Sequence, residues 1–189
     1  MLGDMQPTQA TAVTWKDFLA LPDDDRRELI EGRLMELDVP THLHEHIVVM
    51  VGYFLTGWRK AGGGGHVLRS GYKVRIRDDQ AFMPDVQYFK SGRVVPEQGL
   101  TEGGPDLAVE VISPSLGHSD QVEKLTGYAS IGTAEYWLVH PENRTLHRYV
   151  LSATKHFVLE EAHEGDAVFQ PATFPGLAIP LSELWNLPA

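Results

Sequence analysis

The sequence predicts an α/β fold: a single domain with a mixed central β-sheet, flanked by helices and extended by antiparallel strands towards the C-terminus. Apolar residues recur at helical spacing in residues 45–60. Polar and apolar residues alternate in residues 71–77, which is typical of a half-buried strand. Residues 106–113, with the sequence DLAVEVIS, are almost all apolar, as in a central strand covered on both faces. Helices and strands mixed along one chain in this way favour an α/β domain.

The length of 189 residues suits one domain with a sizeable core. Residues 1–13 are small and polar, and we expect them to form a flexible N-terminal arm. Because no repeat or linker interrupts the remaining sequence, residues 14–189 are predicted to form the single domain.

The first half of this domain is predicted to contain a short helix, a strand and a longer helix. Thr14 is a suitable N-cap for a helix that Pro22 stops. A strand is predicted for residues 30–38. The longer helix, residues 45–60, ends before the four glycines at 62–65.

The second half is predicted to contain mostly strands. Asp78 and Asp79 form a turn between two strands, residues 71–77 and 82–90. Residues 119–132 have helical spacing and end at glycine. The other predicted strands are residues 106–113, 135–140, 145–151 and 156–160, followed by a short strand and a helix at 182–185.

Composition and charge exclude several classes of protein. The chain has no cysteine, so it has no disulfide framework, thiolate zinc site or cysteine nucleophile. No apolar run is long enough to span a bilayer, and the N-terminus lacks the pattern of a secretory signal. We therefore expect a soluble, cytoplasmic protein with no membrane partner. The formal charge of −10, from 16 basic and 26 acidic residues, argues against broad nucleic-acid binding.

Glu110 is the most informative single residue, because it lies within the apolar segment LAVEVI. Burying an unpaired carboxylate costs several kcal/mol, so a partner must compensate for the lost hydration. One interpretation is a buried ion pair or a protonated, hydrogen-bonded acid. The other is a metal ligand, because a divalent cation prefers such oxygen donors.

Asp85 supplies a second carboxylate at the start of a predicted strand, directly after Pro84. Glu110 follows 25 residues later, on a strand separated from the first by a loop. If the two strands are neighbours, both carboxylates can converge on one magnesium ion.

These motifs resemble the restriction-endonuclease-like family of the PD-(D/E)XK nuclease superfamily. The resemblance extends from Trp15 to Leu151, and several spaced motifs in the same order make it specific. The motifs are ELIEGRL at 28–34, HEHI at 44–47, PDV at 84–86, PDLAVEVISPS at 105–115, D-x-x-x-K-x-x-x-Y at 120–128 and EYWLV at 135–139.

The resemblance implies a metal site and a catalytic lysine. Asp85 and Glu110, with the backbone carbonyl of Val111, would hold Mg²⁺, and Mn²⁺ would substitute for it. The superfamily motif has a lysine two residues after the glutamate, where this chain has Ile112. In this family the lysine position matches Lys124 on the following helix. The alternative for Lys124 is an ion pair with an acid one helical turn away, at position 120.

Glu31 is the fourth candidate implied by the resemblance, as the residue that completes the acidic cluster. It is predicted to lie at the start of a strand, and the alternative is an exposed carboxylate at the strand end. Tyr128 lies one turn beyond Lys124 and either lines the site or packs in the core.

Three histidines at 42, 44 and 46 raise the question of a zinc site. In a helix only His42 and His46 share a face, and two histidines do not make a closed zinc site. A histidine cluster at the start of a helix is the favoured interpretation.

The resemblance implies a divalent-metal-dependent endonuclease that hydrolyses phosphodiester bonds in nucleic acid, with DNA as the expected substrate. The alternative is a non-catalytic module of the same fold that binds nucleic acid or a protein partner. A homodimer is expected for either function.

The negative charge is uneven along the chain, which reduces the objection to nucleic-acid binding. Residues 58–93 contain eight basic side chains and three acids, a local charge of +5, and they surround Asp85. Residues 135–189 contain seven acids and three bases, a local charge of −4. We therefore expect weak, salt-sensitive binding that depends on a divalent metal.

Overall fold

The computed structural model of the protein describes residues 12–22, 24–69, 71–113 and 118–187, with the backbone alone for residues 118 and 119. Most of the predicted arm, residues 1–11, therefore lies outside the described residues. Val13, at the end of the predicted arm, is attached to the domain, because its N–H donates to the carbonyl of Gly32 at 2.9 Å.

Four helices and thirteen strands make up the described part of the chain. The helices are α1 (Trp15–Leu19), α2 (His42–Trp58), α3 (His118–Ser130) and α4 (Ser182–Trp185), and a wider helical turn, Arg59–Gly63, extends α2. The strands are β1 (Glu28–Ile30), β2 (Arg33–Met35), β3 (His66–Arg69), β4 (Lys73–Arg77), β5 (Gln80–Phe82), β6 (Val86–Phe89), β7 (Gly99–Leu100), β8 (Leu107–Val111), β9 (Glu135–His140), β10 (Thr145–Leu151), β11 (Phe157–Glu164), β12 (Val168–Phe169) and β13 (Ile179–Pro180).

The largest sheet has six strands in the order β11-β10-β9-β8-β6-β3. Strands β8 and β9 are parallel, and the other neighbours in this sheet are antiparallel. All five residues of β8 are buried, as the apolar run predicted. The predicted single-domain α/β fold with a mixed sheet and antiparallel C-terminal strands is confirmed.

A second sheet has five strands in the order β2-β1-β5-β4-β7. A short pair, β12 and β13, lies close to the end of the described chain. No helix among the described residues is both long enough and apolar enough to cross a membrane.

The two faces of β8 contribute to different parts of the core. Leu107 and Val109 pack in a cluster with residues of α2, such as Val51. Ala108 packs instead with Tyr128 of α3. Because side chains alternate along a strand, Glu110 of β8 is directed to the same face as Ala108, towards α3.

The prediction of one strand over residues 30–38 is wrong. The chain forms a hairpin, in which β1 and β2 pair antiparallel around a turn at Glu31 and Gly32. Both turn residues have positive φ, 47° and 73°, and such angles suit the tight turns that join hairpin strands. The N–H of Gly32 also donates to the carbonyl of Asp79 at 2.8 Å, which holds the turn against the rest of the sheet.

The prediction of one strand over residues 82–90 is also wrong. The segment divides into β5, which belongs to the five-stranded sheet, and β6, which belongs to the six-stranded sheet. Pro84 lies between them and cannot donate a ladder hydrogen bond. The break places Asp85 where the chain crosses from one sheet to the other.

Candidate active site

Four charged side chains from four segments meet between the two sheets: Glu28, Asp85, Glu110 and Lys124, here called the Lys124 cluster. The Nζ atom of Lys124 lies 3.0 Å from Oε2 of Glu110 and 3.2 Å from Oε1 of Glu28. These three side chains are 10% exposed or less. The sequence predicts that a partner must compensate for the lost hydration of Glu110. The ion pair with Lys124 provides part of that compensation.

Helix α3 contacts both carboxylate oxygens of Glu110. Lys124 contacts Oε2, and the hydroxyl of Tyr128 donates to Oε1 at 2.8 Å. Lys124 and Tyr128 can act together because residues four apart lie on the same face of a helix. Tyr128 is fully buried, so it both packs in the core and contacts the site.

Asp85 directly precedes β6 and lies beside the C-terminal end of β8, the central strand. Its Oδ2 atom accepts a hydrogen bond from the backbone N–H of Val111 at 2.8 Å. The same oxygen lies 3.5 Å from Nε2 of His44 on α2. The structure therefore brings Asp85 beside Glu110, the neighbour of Val111 along β8.

Glu28, rather than Glu31, supplies the third carboxylate. Glu28 lies in β1, is 4% exposed, and accepts a hydrogen bond from the N–H of Met83 at 2.9 Å. Glu31 is an exposed residue of the hairpin turn and is not among the described residues that line the cavity at the site. Glu31 therefore does not begin a strand, and the structure places Glu28 rather than Glu31 against Lys124.

The three histidines at the start of α2 have different surroundings. His44 contacts Asp85, whereas Nε2 of His46 lies 3.0 Å from the carbonyl of Glu183. His42 is exposed. Thr41 caps the helix by accepting from the N–H of His44 at 3.1 Å, so the interpretation of a helix start is confirmed.

The Lys124 cluster carries more negative than positive charge. With all four groups ionised, three carboxylates and one ammonium give a charge of −2. Burial raises the pKa of Glu110 to about 7; Lys124 opposes this increase, while Asp85 and Glu28 add to it. Burial alone lowers the pKa of Lys124, but the three carboxylates outweigh it and hold that pKa above its ordinary value. Lys124 is therefore charged, and the carboxyl group of Glu110 titrates near neutral pH.

A cavity of about 1020 Å³ opens onto the Lys124 cluster. One wall is apolar and exposed, and includes Met35, Leu37 and Val39. Several further acids line the cavity: Glu36, Asp38, Glu45, Asp120 and Glu123. Among the described lining residues, the positive charges besides Lys124 come from Arg26 and Arg69.

The donors at this site suit a magnesium ion. Carboxylate and carbonyl oxygens are the ligands that Mg²⁺ prefers, and the excess charge of −2 matches a divalent cation. Within the described ranges, no three histidine, aspartate or glutamate side chains are arranged as a metal cage. Mg²⁺ does not require such a cage, because it is commonly held by one or two carboxylates together with water and substrate phosphates.

Several cations of the basic section, residues 58–93, are buried or paired with acids of the protein. Lys73 is buried and donates to the carbonyl of Phe18 at 3.0 Å. Four further cations pair with acids: Arg75 with Asp78, Arg77 with Asp79, and Lys90 and Arg93 with Asp106. Asp78 and Asp79 are already included in the local charge of +5, so the burial of Lys73 and the pairing with Asp106 make the positive surface around Asp85 somewhat smaller than the sequence indicated.

Comparison with known proteins identifies the family. The family model Uma2, described as "Putative restriction endonuclease", matches residues 15–182. The chain belongs to the Uma2 family. The restriction-endonuclease-like family expected from the sequence motifs is thus confirmed, while its placement in the PD-(D/E)XK superfamily stays a prediction.

A solved structure shows the same fold. It is a "putative nuclease belonging to DUF820" from Anabaena variabilis ATCC 29413, with a TM-score of 0.72 and 21% sequence identity. The match covers 92% of this chain and 97% of that chain. No protein of curated function matches the chain.

Proposed function

We propose that this protein is a divalent-metal-dependent nuclease that hydrolyses phosphodiester bonds, with DNA as its substrate. The observation that carries this proposal is the Lys124 cluster itself, in which Glu28 and Glu110 both pair with one lysine, and Asp85 lines the same open cavity. Membership of the Uma2 family supports the nuclease class. The metal and the substrate are inferred from the chemistry of the donors.

Asp85, Glu110 and the carbonyl of Val111 would hold Mg²⁺, and Mn²⁺ would substitute for it. Within a strand, the N–H and the C=O of one residue point to the same side. Because the N–H of Val111 donates to Asp85, its carbonyl is also directed to that side. When bound, the ion would polarise the scissile phosphate and lower the pKa of an attacking water.

Lys124 would act on the reacting groups as a fixed positive charge. Its ammonium can orient the attacking water or stabilise charge that develops on the phosphate. Glu28 and Glu110 keep it charged and hold it at the base of the cavity. Glu28 thus takes the supporting role that the sequence had assigned to Glu31.

One observation favours the alternative function, a non-catalytic module of the same fold that binds nucleic acid or a protein partner. Both oxygens of Glu110 already have partners, Lys124 and Tyr128. In a purely structural ion pair these contacts would persist, and no metal would bind.

A cleavage assay tests the proposal. Purified protein is incubated with plasmid DNA and Mg²⁺ or Mn²⁺, beside Glu110→Gln, Asp85→Asn and Lys124→Met. We expect cleavage by the wild type and a loss of at least a hundredfold in each variant. Glu142→Gln, an exposed carboxylate in the β9–β10 turn, is the matched control and should retain activity. Cleavage that survives in Glu110→Gln would come from a contaminant and refute the claim.

Calorimetric titration with Mn²⁺ separates the nuclease from the non-catalytic module. A nuclease should show saturable binding that Glu110→Gln weakens strongly. A wild-type protein without saturable binding would favour the module.

The homodimer and the cytoplasmic location remain predictions. Light scattering after size-exclusion chromatography would show a mass of twice 21.0 kDa for the dimer.

A further inference from the structure

Arg69 is placed at the rim of the cavity that contains the Lys124 cluster. It is the last residue of β3 and pairs in register with Val86, the residue after Asp85. The Arg69 side chain is exposed and lines the cavity. Among the described residues it has no hydrogen-bond or ion-pair partner, although the cavity contains several acids.

Helix α2 makes room for the stem of Arg69. A Cβ atom at Gly52 would lie 2.9 Å from Cδ of Arg69 and 3.5 Å from Cγ. Gly52 is buried in the interior of the helix, where glycine costs about 1 kcal/mol relative to alanine. The stem of Arg69 therefore lies against α2 at Gly52, and the side chain lines the cavity without an acidic partner among the described residues.

The other cations near Asp85 in sequence cannot take the same role. Arg75 and Arg77 pair with their own neighbouring aspartates, and Lys73 is buried under α1. Arg59 and Lys60 lie at the far end of α2, beyond the segment that contacts Arg69. Arg69 is therefore the cation of this section that remains available at the site.

We propose that Arg69 binds a backbone phosphate of the nucleic acid and positions the strand for cleavage. This inference rests on the proposed function and adds to it a residue that touches the substrate. A guanidinium donates two parallel hydrogen bonds to a phosphate, which orients the strand as well as attracting it. The phosphate next to the scissile one would then lie at the rim, while the scissile phosphate reaches Asp85 and Lys124.

The test measures binding of a labelled DNA duplex by fluorescence anisotropy over a series of salt concentrations. Ca²⁺ replaces Mg²⁺ so that the strand stays intact, which a gel verifies. We expect Arg69→Gln to weaken binding roughly tenfold or more. The slope of log K against log salt should also fall by about 0.9, the value for one lost phosphate contact.

Two further variants separate a specific contact from general electrostatics. Arg33→Gln changes the net charge equally, but Arg33 is an exposed residue of β2 outside the described lining of the cavity. It should leave affinity and salt slope nearly unchanged. Gly52→Ala keeps the charge of the protein and displaces the stem of Arg69, so it should lower affinity and raise KM more than it changes kcat. Thermal unfolding checks that both variants fold.

The outcomes distinguish this inference from the proposed function. If Arg69→Gln and Arg33→Gln changed DNA affinity equally, the proposed role of Arg69 would be overturned and the nuclease proposal would stand. The same holds if Arg69→Gln kept the salt slope of the wild type. A wild-type protein that cleaves DNA, with Arg69→Gln equally active and equally tight, would also overturn it while leaving the nuclease proposal intact. A wild-type protein that neither binds nor cleaves would overturn both.

Discussion

Tyr128 determines how Glu110 is held, because its hydroxyl and Lys124 engage the two oxygens of the same carboxylate. Burial raises the pKa of Tyr128 well above its ordinary value, so the hydroxyl stays protonated and donates. We predict that Tyr128→Phe lowers the free energy of unfolding by about 1.5–3 kcal/mol, the range for a hydrogen bond to a charged group. Urea denaturation at pH 8 measures it.

Tyr53→Phe is the matched control for Tyr128→Phe. Tyr53 is 67% exposed, and the loss of its hydroxyl should change the free energy of unfolding by less than about 0.5 kcal/mol. Equal stability changes in the two variants would show that the contact between Tyr128 and Glu110 contributes nothing specific.

The raised pKa of Glu110 predicts that the stability of the metal-free protein depends on pH. That pKa is raised to about 7 from the ordinary value of 4.5. A carboxyl with a raised pKa favours the folded state at low pH, and that contribution is lost as the pH rises through the folded-state value. Stability in EDTA should therefore fall between pH 4.5 and pH 8 more steeply for the wild type than for Glu110→Gln. Parallel stability curves, measured by urea denaturation, would contradict this assignment.

The residues of the site differ in how readily the sequence reveals them. Glu110 is conspicuous because a carboxylate interrupts an apolar run, and Asp85 follows a proline. Glu28 has no such signal, since it follows a charged segment and begins a strand of only three residues. The signal that could have found it is the Glu31-Gly32 turn: recognising the hairpin would have placed Glu31 at its tip and Glu28 on the strand.

Helix α3 has to lie close to β5 for Lys124 to reach the carboxylates. Gly127 provides that approach, because a Cβ atom there would lie 2.7 Å from the ring of Phe82, which is fully buried. We predict that Gly127→Ala lowers stability by about 1–3 kcal/mol, the cost of overpacking a core. It should also reduce cleavage, since the helix that holds Lys124 is displaced.

Gly57→Ala is the control for helix propensity. Gly57 lies in α2, and a Cβ atom there would meet nothing within 4 Å. Alanine should therefore raise stability there by up to about 1 kcal/mol, the opposite sign to Gly127→Ala. If thermal unfolding showed both variants to be stabilised, the close packing of α3 would not be limiting.

At the scale of elements, the sequence predicts long periodic helices and strands well. It does not predict where a segment passes from one sheet to another. Helix α2 and strand β8 have enough residues for their periodicity to be unambiguous. The segment from Phe82 to Phe89 is predicted from the sequence as part of one strand, but in the fold it belongs to two sheets. Pro84 is a local sign of the break, but pairing partners that lie far away in sequence decide which sheet each short strand joins.

The distribution of charge over the whole molecule limits how nucleic acid can bind. The chain carries a formal charge of −10, and four of the eight cations of residues 58–93 pair with acids of the protein itself. The cavity contains more acids than bases. A polyanion therefore meets repulsion at the site unless a divalent cation offsets it, so metal and nucleic acid should bind cooperatively.

This coupling predicts how DNA affinity depends on metal and salt. In EDTA at physiological salt, we expect duplex binding no tighter than the range of roughly 10⁻⁴–10⁻⁶ M that is typical of non-specific binding. Adding Ca²⁺ should tighten binding by at least about fivefold, the lower range of coupling between two ligands. The salt slope should stay shallow, near −1 to −3, because few phosphates meet an available cation. Fluorescence anisotropy gives all three quantities on one duplex.

Glu110→Gln should lose the Ca²⁺ effect and keep the weak metal-free affinity, because its metal ligand is gone while Arg69 remains. Tight metal-free binding, or a slope near −10, would require an extended basic surface and would contradict this account.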